Sequence, residues 1–518
     1  MKLNYKRTIL VGFAFFLISA FWQAYDATIP VILTNKFGMS QTWSGVIMAL
    51  DNILAVFMLP LFGALSDKCN TKYGKRTPFI TIGTVIAAVA ILSLSFVDNI
   101  QLKNISEVSR IDDLASLEVI YDTQGSKELM TPDGERFVLE DLFGREAFCE
   151  ITSQIPNPEN AEKKITNPDY RNYVMPARQA YAAEATAKNP TPLVLFVGIL
   201  LIVLIAMAIF RSPAVALMPD VTVKPLRSKA NAIINLMGTA GGILVLLLGM
   251  IFATSAVRNQ LMNYYVYYGV VAGIMLGALA VFLLTVREPV WSKQMAEDSV
   301  KLGIEEKVKD SEAKRGLNRA EKRSLLFILA SIVLWYFGYN AVTSKYAVYA
   351  GNILNMDYNT TLLLAQAAAI VAYLPAGMVA SKIGRKKTIM AGIVMLTTAF
   401  ACASFLRSGS SVLLMNVLFA LAGIGWATIN VNSFPMVVEM CSGADIGKYT
   451  GFYYTASMSA QIVTPMLSGM LMDRMGMTVL FPYAAVFATL ALLTMFMVKH
   501  GDAKPAAKIG LEALDNED

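Results

Sequence analysis

Long apolar runs separated by short polar segments dominate the hydropathy pattern of this chain. Twelve of these runs reach the length of about 20 residues that an α-helix needs to cross roughly 30 Å of hydrocarbon. The first six cover residues 8–33, 43–66, 77–97, 191–219, 229–254 and 262–286. The other six cover residues 324–343, 359–381, 387–406, 411–438, 449–472 and 477–499. The pattern therefore predicts an all-α membrane protein with twelve transmembrane helices.

Basic side chains cluster in alternate segments between these spans, and lysine and arginine favour the cytoplasmic side of a membrane. The basic segments lie before span one and after spans two, four and eight, for example at Lys6, Lys72, Lys229 and Lys382. The short segments between them carry few basic residues. We therefore expect a multi-pass protein of the cell membrane (plasma or inner membrane) with both termini in the cytoplasm.

Two longer polar segments interrupt this alternation. Residues 98–189 carry 17 acidic and 10 basic side chains, a net charge of −7, and form an extracytoplasmic insert between spans three and four. The insert is either a small folded lobe or a solvated arm, and its stretch "ERFVLEDLFGREAF" predicts a short amphipathic helix. Residues 287–322 mix both charges, as a solvated cytoplasmic linker does. Residues 501–518 form a cytoplasmic tail.

An internal repeat becomes visible once the insert is set aside. The stretch "GALSDKCNTKYGKRTPF" from Gly63 returns as "GMVASKIGRKKTIM" from Gly377, an offset of 314 residues. A second pair of basic loops repeats at an offset of 219 residues, and the insert accounts for most of the difference. We expect two six-helix halves, residues 1–286 and 323–500, arranged as parallel repeats with the substrate site between them.

These loop sequences resemble a known family. "GALSDK…GKRTPF" and "GMVASKIGRKK" are similar to the loop signature of the major facilitator superfamily. The longer first loop and "RSPAVALMPDVT…RSKANA" resemble the glycoside–pentoside–hexuronide:cation symporters and the sucrose-transporter group. The resemblance implies the major facilitator fold, alternating access, and uptake of a glycoside with H⁺ or Na⁺. The chain departs from the melibiose-type pattern, because Asp51 is followed by asparagine where that pattern has proline.

Composition excludes several other chemistries. Only 16% of the residues are charged and 55% are hydrophobic, whereas a soluble domain carries about a quarter charged residues. The chain has one histidine and four cysteines without CxxC spacing, so neither a metal site nor a histidine-based catalytic site is expected. It also lacks a GxxxxGK[ST] phosphate loop. We expect neither an enzyme nor an ATP-driven pump, and no cofactor beyond a co-transported ion.

Three charged residues fall inside the predicted spans, where a charge normally faces a cavity and serves a function. Asp26 lies 19 residues after Arg7, and Asp51 lies 16 residues before Asp67. At 1.5 Å per residue, both carboxylates lie about 24–28 Å from the inner face. Two carboxylates in one low-dielectric cavity repel each other, so one of them should readily bind a proton or a cation. Asp26 and Asp51 are therefore the candidate ion-coupling residues.

Polar and aromatic residues of the spans are the candidate substrate ligands. Arg211 keeps its charge and offers a fixed fork of donors for sugar hydroxyls or a carboxylate, although it lies only about 13 Å from the inner face. The sucrose-transporter resemblance also implies a role for Arg211 in substrate or proton coupling. Snorkelling of Arg211 to the inner surface is the alternative. Aromatic rings and amides suit the apolar face and the hydroxyls of a sugar, although tryptophan and tyrosine also form interfacial belts. The candidates besides Arg211 are Trp22, Gln23, Tyr25, Asn52, Tyr336, Tyr339, Asn340 and Gln461.

The charged inner loops are the candidate gating elements. We expect Asp67 to pair with Lys75 and Arg76, and Asp220 to pair with Arg227 and Lys229, latching the halves in the outward-open state. The repeat adds Arg385, Glu439 and Lys448 in the second half. Exposed pairs are individually weak, but a network at a bistable interface can still bias its population.

The sequence thus predicts a monomeric secondary transporter that carries a small sugar with H⁺ or Na⁺ and has no nucleic-acid partner. Two alternatives remain open. The first is an exporter of drugs or metabolites with the same fold, which would have a more apolar cavity. The second is a ligand-sensing membrane protein that uses the outer insert.

Overall fold

A computed structural model describes residues 3–157, 160–223, 226–301, 318–438, 440 and 446–500 of the chain. Polar caps begin several of its long helices. Asn4, Ser40 and Asp357 accept hydrogen bonds from backbone N–H groups of the first turn that follows, and Asn318 forms a capping box with Glu321. Prolines inside the helices, such as Pro30 and Pro465, are tolerated as in other membrane helices.

The chain opens with three long helices and then enters the insert. The three helices are α1 (Tyr5–Asn35), α2 (Gln41–Lys68) and α3 (Thr77–Asn104). The insert continues with α4 (Leu114–Gln124), β1 (Leu129–Met130), β2 (Arg136–Phe137), α5 (Leu139–Leu142), α6 (Arg145–Cys149), β3 (Gln154–Asn157), β4 (Asn160–Thr166), a π-helical turn (Tyr170–Val174) and α7 (Met175–Lys188). Strands β1 and β2 pair antiparallel, as do β3 and β4.

Ten further α-helices of the described chain follow the insert. They are α8 (Thr191–Val221), α9 (Arg227–Ile251), α10 (Tyr265–Thr285), α11 (Glu288–Lys301), α12 (Arg319–Tyr349), α13 (Tyr358–Ile383), α14 (Arg385–Ala403), α15 (Val412–Val438), α16 (Ile446–Met475) and, last, α17 (Leu480–Phe496), of which α11 is the short helix of the linker. All twelve predicted spans coincide with long helices. Ten helices of the described residues are long and apolar enough to cross a membrane, and α13 and α16 are outside that set.

The insert is a folded lobe and not a solvated arm. Its own hydrophobic core is closed by side chains such as Ile105, Phe148, Tyr170 and Val257, the last of which follows α9. Helix α3 extends past the predicted end of span three, so the lobe begins after Asn104. The predicted single helix in "ERFVLEDLFGREAF" was wrong. Strand β2 and the short helices α5 and α6 occupy this stretch, and α5 ends where Phe143 becomes extended.

Two groups of helices each have a hydrophobic core of their own, and Ala27 and Val31 of α1 pack into the core of the second group. The first group contains α1–α3 and α8–α10, and the second contains α12–α17. They meet where α2 packs on α16, α9 on α13 and α1 on α12. We call the end of the bundle that carries the insert the insert side, and the end that carries the chain termini and α11 the linker side.

Candidate functional site

A cavity of 210 Å³ lies between the two helix groups, near the middle of α1, α2, α8, α12 and α16. This volume is below the roughly 300–1,000 Å³ of sites for drug-sized ligands, so the cavity suits a small solute. Seven of the predicted site residues line it together: Trp22, Asp26, Asp51, Asn52, Arg211, Asn340 and Gln461. Met48, Thr343, Ser344 and Pro465 complete the wall.

Both predicted ion-coupling carboxylates face this cavity. Asp26 is exposed although it lies deep within α1, and Asp51 is partly exposed. Because they line the cavity, their exposure is to its interior and not to lipid. Asp51 accepts a hydrogen bond of 2.7 Å from the side chain of Asn52. Asp26 has no hydrogen-bond partner among the described residues, so its oxygens are free to bind a ligand.

Arg211 also points into the cavity and does not snorkel to the linker side. Its guanidinium lies 5.8 Å from the ring centroid of Trp22, within the range of a cation–π interaction. It also lies within electrostatic reach of Asp51. The cavity thus combines two carboxylates with one fixed positive charge.

Three shielded donors at or beside the cavity wall have no partner among the described residues. They are Trp22 Nε1, the hydroxyl of Tyr25 and Asn340 Nδ2. Trp22 and Asn340 line the cavity, and the ring of Tyr25 packs edge-on against Trp22 with centroids 5.3 Å apart. An unsatisfied polar group that is shielded from water typically costs about 1–3 kcal/mol. Because these donors are shielded in this conformation, a solute in the cavity could accept from them only after a local rearrangement.

Two further contacts frame the cavity. The ring of Tyr339 stacks on Trp426 with centroids 3.7 Å apart and planes 2° apart, and Tyr336 meets Trp426 edge-on. Gln366 donates a hydrogen bond of 2.6 Å to Gln23 and so bridges α13 and α1. The predicted residues Tyr336, Tyr339 and Gln23 therefore belong to this framework, while the structure does not place them on the cavity wall itself.

The insert side of the cavity is closed by contact between α2 and α16. Gly45 and Gly469 bring the two backbones so close that neither position has room for a Cβ. Asp473 accepts hydrogen bonds of 2.7 Å from the backbone N–H groups of Gln41 and Thr42, and so caps α2 from the other helix group. Lys345 of α12, fully buried, donates to the Gln41 carbonyl at 2.7 Å.

A second contact closes the insert side between α9 and α13. Ser255 donates a hydrogen bond of 2.7 Å to Asp357, and Thr254 bonds to Tyr358 and Asn359. Both contacts lie at the same end of the bundle as the insert. The cavity is therefore closed towards the insert side by hydrogen bonds that join the two helix groups.

The charged loops of the linker side form a network within the first helix group. Arg76 pairs with Asp67 at 2.5 Å and with Asp220 at 2.7 Å, and the hydrogen bonds raise its pKa although burial alone would lower it. Glu288 begins α11 and accepts hydrogen bonds from the backbone N–H groups of Lys75, Arg76 and Thr77. This carboxylate caps α3 and holds Arg76 in place.

The other predicted gating residues either differ in burial or lie outside the part of the chain that the structure describes. Lys75 exposes its side chain to solvent, and Arg385 begins α14 with its side chain buried. Glu439 lies outside the described residues, as do the side chains of Arg227, Lys229 and Lys448. The role of all nine gating residues stays a prediction.

Several residues of these sites were not predicted from the sequence. Met48, Thr343 and Ser344 are uncharged and common in membrane helices, so nothing distinguished them. Glu288 was hidden in a mixed-charge segment, although its position directly after span six was a usable signal. Asp473 and Lys345 are charges close to span ends and could have been marked as cross-group contacts.

A larger cavity of 490 Å³ lies elsewhere, where the insert meets the turn after α9. Its two carboxylates are engaged within the insert, because Asp112 bonds to Ser153 and Asp113 caps α4. This cavity is remote from the predicted ion-coupling residues.

Comparison with known families identifies the class of the protein. The family profile described as Major Facilitator Superfamily matches residues 180–372 and 360–513, and one described as MFS/sugar transport protein matches residues 10–101. The first profile alone covers more than half of the chain. The chain belongs to the major facilitator superfamily, which makes it a multi-pass membrane protein of a transporter family and not an enzyme.

Individual relatives match shorter stretches. The chain is 28% identical over 152 residues to the MFS-type transporter ppzB of Metarhizium rileyi, covering 29% of this chain and 30% of that protein. It is 32% identical over 72 residues to the sucrose transport protein SUC4 of Arabidopsis thaliana, covering 14% of each. The matches thus span less than a third of the length of these relatives.

Solved structures share the whole fold at low identity. The inward open conformation of the xylose transporter XylE from E. coli matches with a TM-score of 0.57 and 15% identity, covering 99% of both chains. A mutant form of the nucleoside transporter NupG matches with a TM-score of 0.56 and 13% identity, covering 95% of this chain and 100% of that one. At these identities, the likeness establishes the fold alone.

Proposed function

We propose that this protein is a cation-coupled sugar symporter that works by alternating access, with H⁺ or Na⁺ as the driving ion. The observation that carries the proposal is the cavity between the helix groups, into which Asp26, Asp51 and Arg211 all project. Charged groups at such depth are costly unless they face a wet chamber that uses them.

The proposed architecture has twelve spans in two six-helix halves, which are the two helix groups. Helices α13 and α16 complete the count, since they are long and occupy repeat positions equivalent to α2 and α9. We place both termini, the linker and the tail in the cytoplasm and the insert outside the cell membrane. With this orientation, the closed insert side corresponds to an inward-facing monomer.

The two cavity carboxylates are the proposed ion site. Asp26 and Asp51 lie within electrostatic reach of each other, so their ionised forms repel. Binding of a proton or Na⁺ removes this repulsion and changes the charge of the cavity. That change is the physical basis of coupling, because the ion then alters the affinity of the same cavity for sugar. No other cofactor is proposed.

The sugar is proposed to bind between Arg211 and the second helix group. After a local rearrangement that uncovers them, the unpaired donors of Trp22, Tyr25 and Asn340 would bond to hydroxyl oxygens, and the indole face of Trp22 would cover an apolar ring face. Gln461 and Asn52 add amide contacts from α16 and α2. The sugars in the names of SUC4 and XylE support this substrate class.

Transport by reconstituted protein tests the proposal. Proteoliposomes should accumulate labelled sucrose or xylose when an inward H⁺ or Na⁺ gradient is imposed, and collapse of both gradients should abolish accumulation. The variants Asp51→Asn and Asp26→Asn remove a charge at constant size. We expect at least one of them to lose accumulation by about tenfold or more while it retains sugar exchange without a gradient. Uptake that ignores both gradients would contradict the coupling.

A further inference from the structure

The insert touches both helix groups at the closed side of the bundle, and the two sets of contacts differ in kind. Both ends of the insert are continuous with the first group, through α3 and α8. Its helix α7 is fixed there by polar contacts: Gln179 donates to Asn35 at 2.8 Å, and Gln101 of α3 donates to Thr186 at 3.0 Å. Its core includes Val257 and Leu261 of the first group.

The contacts that the described residues of the insert form with the second group lie at two turns. The β1–β2 turn lies on the turn between α16 and α17, where the N–H of Met477 donates to the Pro132 carbonyl at 2.8 Å. At the same point, a Cβ on Gly476 would lie 2.6 Å from the backbone of Asp133. The second contact lies on the α12–α13 turn, where Thr166 bonds to Asn355 and Arg171 donates to the Ile353 carbonyl at 3.2 Å.

These positions have a consequence for a transporter whose halves rock. The α16–α17 and α12–α13 turns are the insert-side ends of helices that must move away from the first group when that side opens. The insert is anchored to the first group through its two chain connections, through α7 and through its hydrophobic core, so we expect it to move with that group. These contacts between the insert and the second group are therefore present when the insert side is closed and broken when it opens.

We propose that the insert is a conformational clamp, which moves with the first helix group and stabilises the closed insert side by holding these two turns of the second group. This inference rests on the proposed function, because the clamp must release only if the halves alternate. The insert then helps to set the ratio of insert-side-open to insert-side-closed molecules, instead of sensing a ligand. Only differential contacts of this kind can shift such a ratio.

Loosening the clamp should shift the resting conformation, independently of any substrate. Asn355 has a left-handed backbone (φ 55°), so Asn355→Gly removes the side-chain contact without backbone strain. Combined with Thr166→Ala, it should raise the insert-side-open population by about threefold or more, as the loss of one hydrogen bond implies. Electron–electron distance measurements between spin labels at Arg258→Cys and Arg407→Cys, with the native cysteines replaced by serine, would report this population in lipid nanodiscs.

The matched control for this measurement is Gln179→Ala, which cuts a bond between the insert and the first group. It should leave the distances unchanged, because that bond is kept in both states. An unchanged distribution in the Thr166→Ala and Asn355→Gly double variant would overturn the clamp.

Cross-linking gives the complementary test. A reducible bifunctional thiol reagent that joins Thr166→Cys to Asn355→Cys should reduce uptake of labelled sucrose or xylose by about tenfold or more, with recovery on reduction. The same reagent joining Gln179→Cys to Asn35→Cys links the insert to the first group and should leave uptake unchanged. Full uptake by the first cross-linked pair, or loss of uptake in the second, would overturn the proposal. If even reduced protein carries neither sugar, the proposed function fails, while the distance measurements still decide the clamp.

Discussion

Arg211 shows how one residue gives the central cavity its character. A guanidinium stays charged at any physiological pH and offers five donors in a rigid plane. Here it lies over the Trp22 ring and faces Asp51, so both its charge and its shape are used. A lysine at this position would keep the positive charge but would not offer the planar set of donors.

We therefore predict that Arg211→Lys weakens sugar binding more than it slows turnover. The KM for uptake should rise about tenfold, corresponding to about 1.4 kcal/mol, because the fork and its stacking on Trp22 are lost while the charge remains. Initial rates measured across a range of sugar concentrations in proteoliposomes would separate the two parameters. Arg7→Lys is the matched control, since Arg7 lies 4.7 Å from the Trp291 ring outside the cavity. An unchanged KM for Arg211→Lys would argue against contact with the sugar.

The same residues show how far sequence alone predicts a site of this kind. Asp26, Asp51 and Arg211 could be selected because a charge in an apolar run is costly enough to stand out. Met48 and Thr343 could not, because a cavity wall needs shape more than a rare residue type. Helix rise gave the approximate depth of Arg211, but the length and direction of its side chain decide that it reaches the same cavity as Asp51.

At the scale of helices, the contact between α9 and α13 depends on a carboxylate that lies just before a helix. Burial alone would raise the pKa of Asp357, but hydrogen bonds from Thr360, Ser255 and Asn359 outweigh burial and lower that pKa below its ordinary value of 3.8. A carboxyl group with a lowered pKa stabilises the folded state above its ordinary pKa. This stabilisation is lost as the pH falls through the lowered pKa.

We predict that Asp357→Ala reduces stability at pH 7 by about 1 kcal/mol, the usual cost of losing a helix N-cap. The difference from the natural protein should begin to shrink near pH 3.8, where the unfolded carboxylate takes up a proton, and should keep shrinking until the pH passes the lowered pKa of the folded carboxylate. Thermal unfolding in detergent from neutral pH down to about pH 3 would measure both effects. Ser255→Ala, which removes only the hydrogen bond to the first helix group, would show how much of the loss arises there. A difference that stayed constant over this pH range would contradict the assignment.

For the whole molecule, the internal repeat predicts more than the helix count. In the repeat, α2 is equivalent to α13, and α9 is equivalent to α16. The contact between α2 and α16 is therefore equivalent to the contact between α13 and α9. The two closures of the insert side are therefore equivalent, although their residues differ. What the repeat cannot predict is which side is closed, because two alternating states use the same sequence. The contacts of the insert with both helix groups could not be predicted from the sequence either. They depend on the folded shape of a segment that has no counterpart in the repeat.

The closed insert side depends on close approach between α2 and α16, and a single methyl group should disturb it. Gly45→Ala places a Cβ against the Pro465 carbonyl, and Gly469→Ala places one against the Gln41 carbonyl. Overpacking of this kind typically costs about 1–3 kcal/mol, and the cost falls only on the closed state. We therefore expect the ratio of insert-side-open to insert-side-closed molecules to rise about tenfold in either variant.

Spin labels at Arg258→Cys and Arg407→Cys would detect the longer distance between the two labels. Gly273→Ala in α10, where a Cβ meets nothing within 4 Å, should give the natural distribution. If Gly45→Ala and Gly273→Ala gave the same distances, the contact between α2 and α16 would not be what holds this side closed.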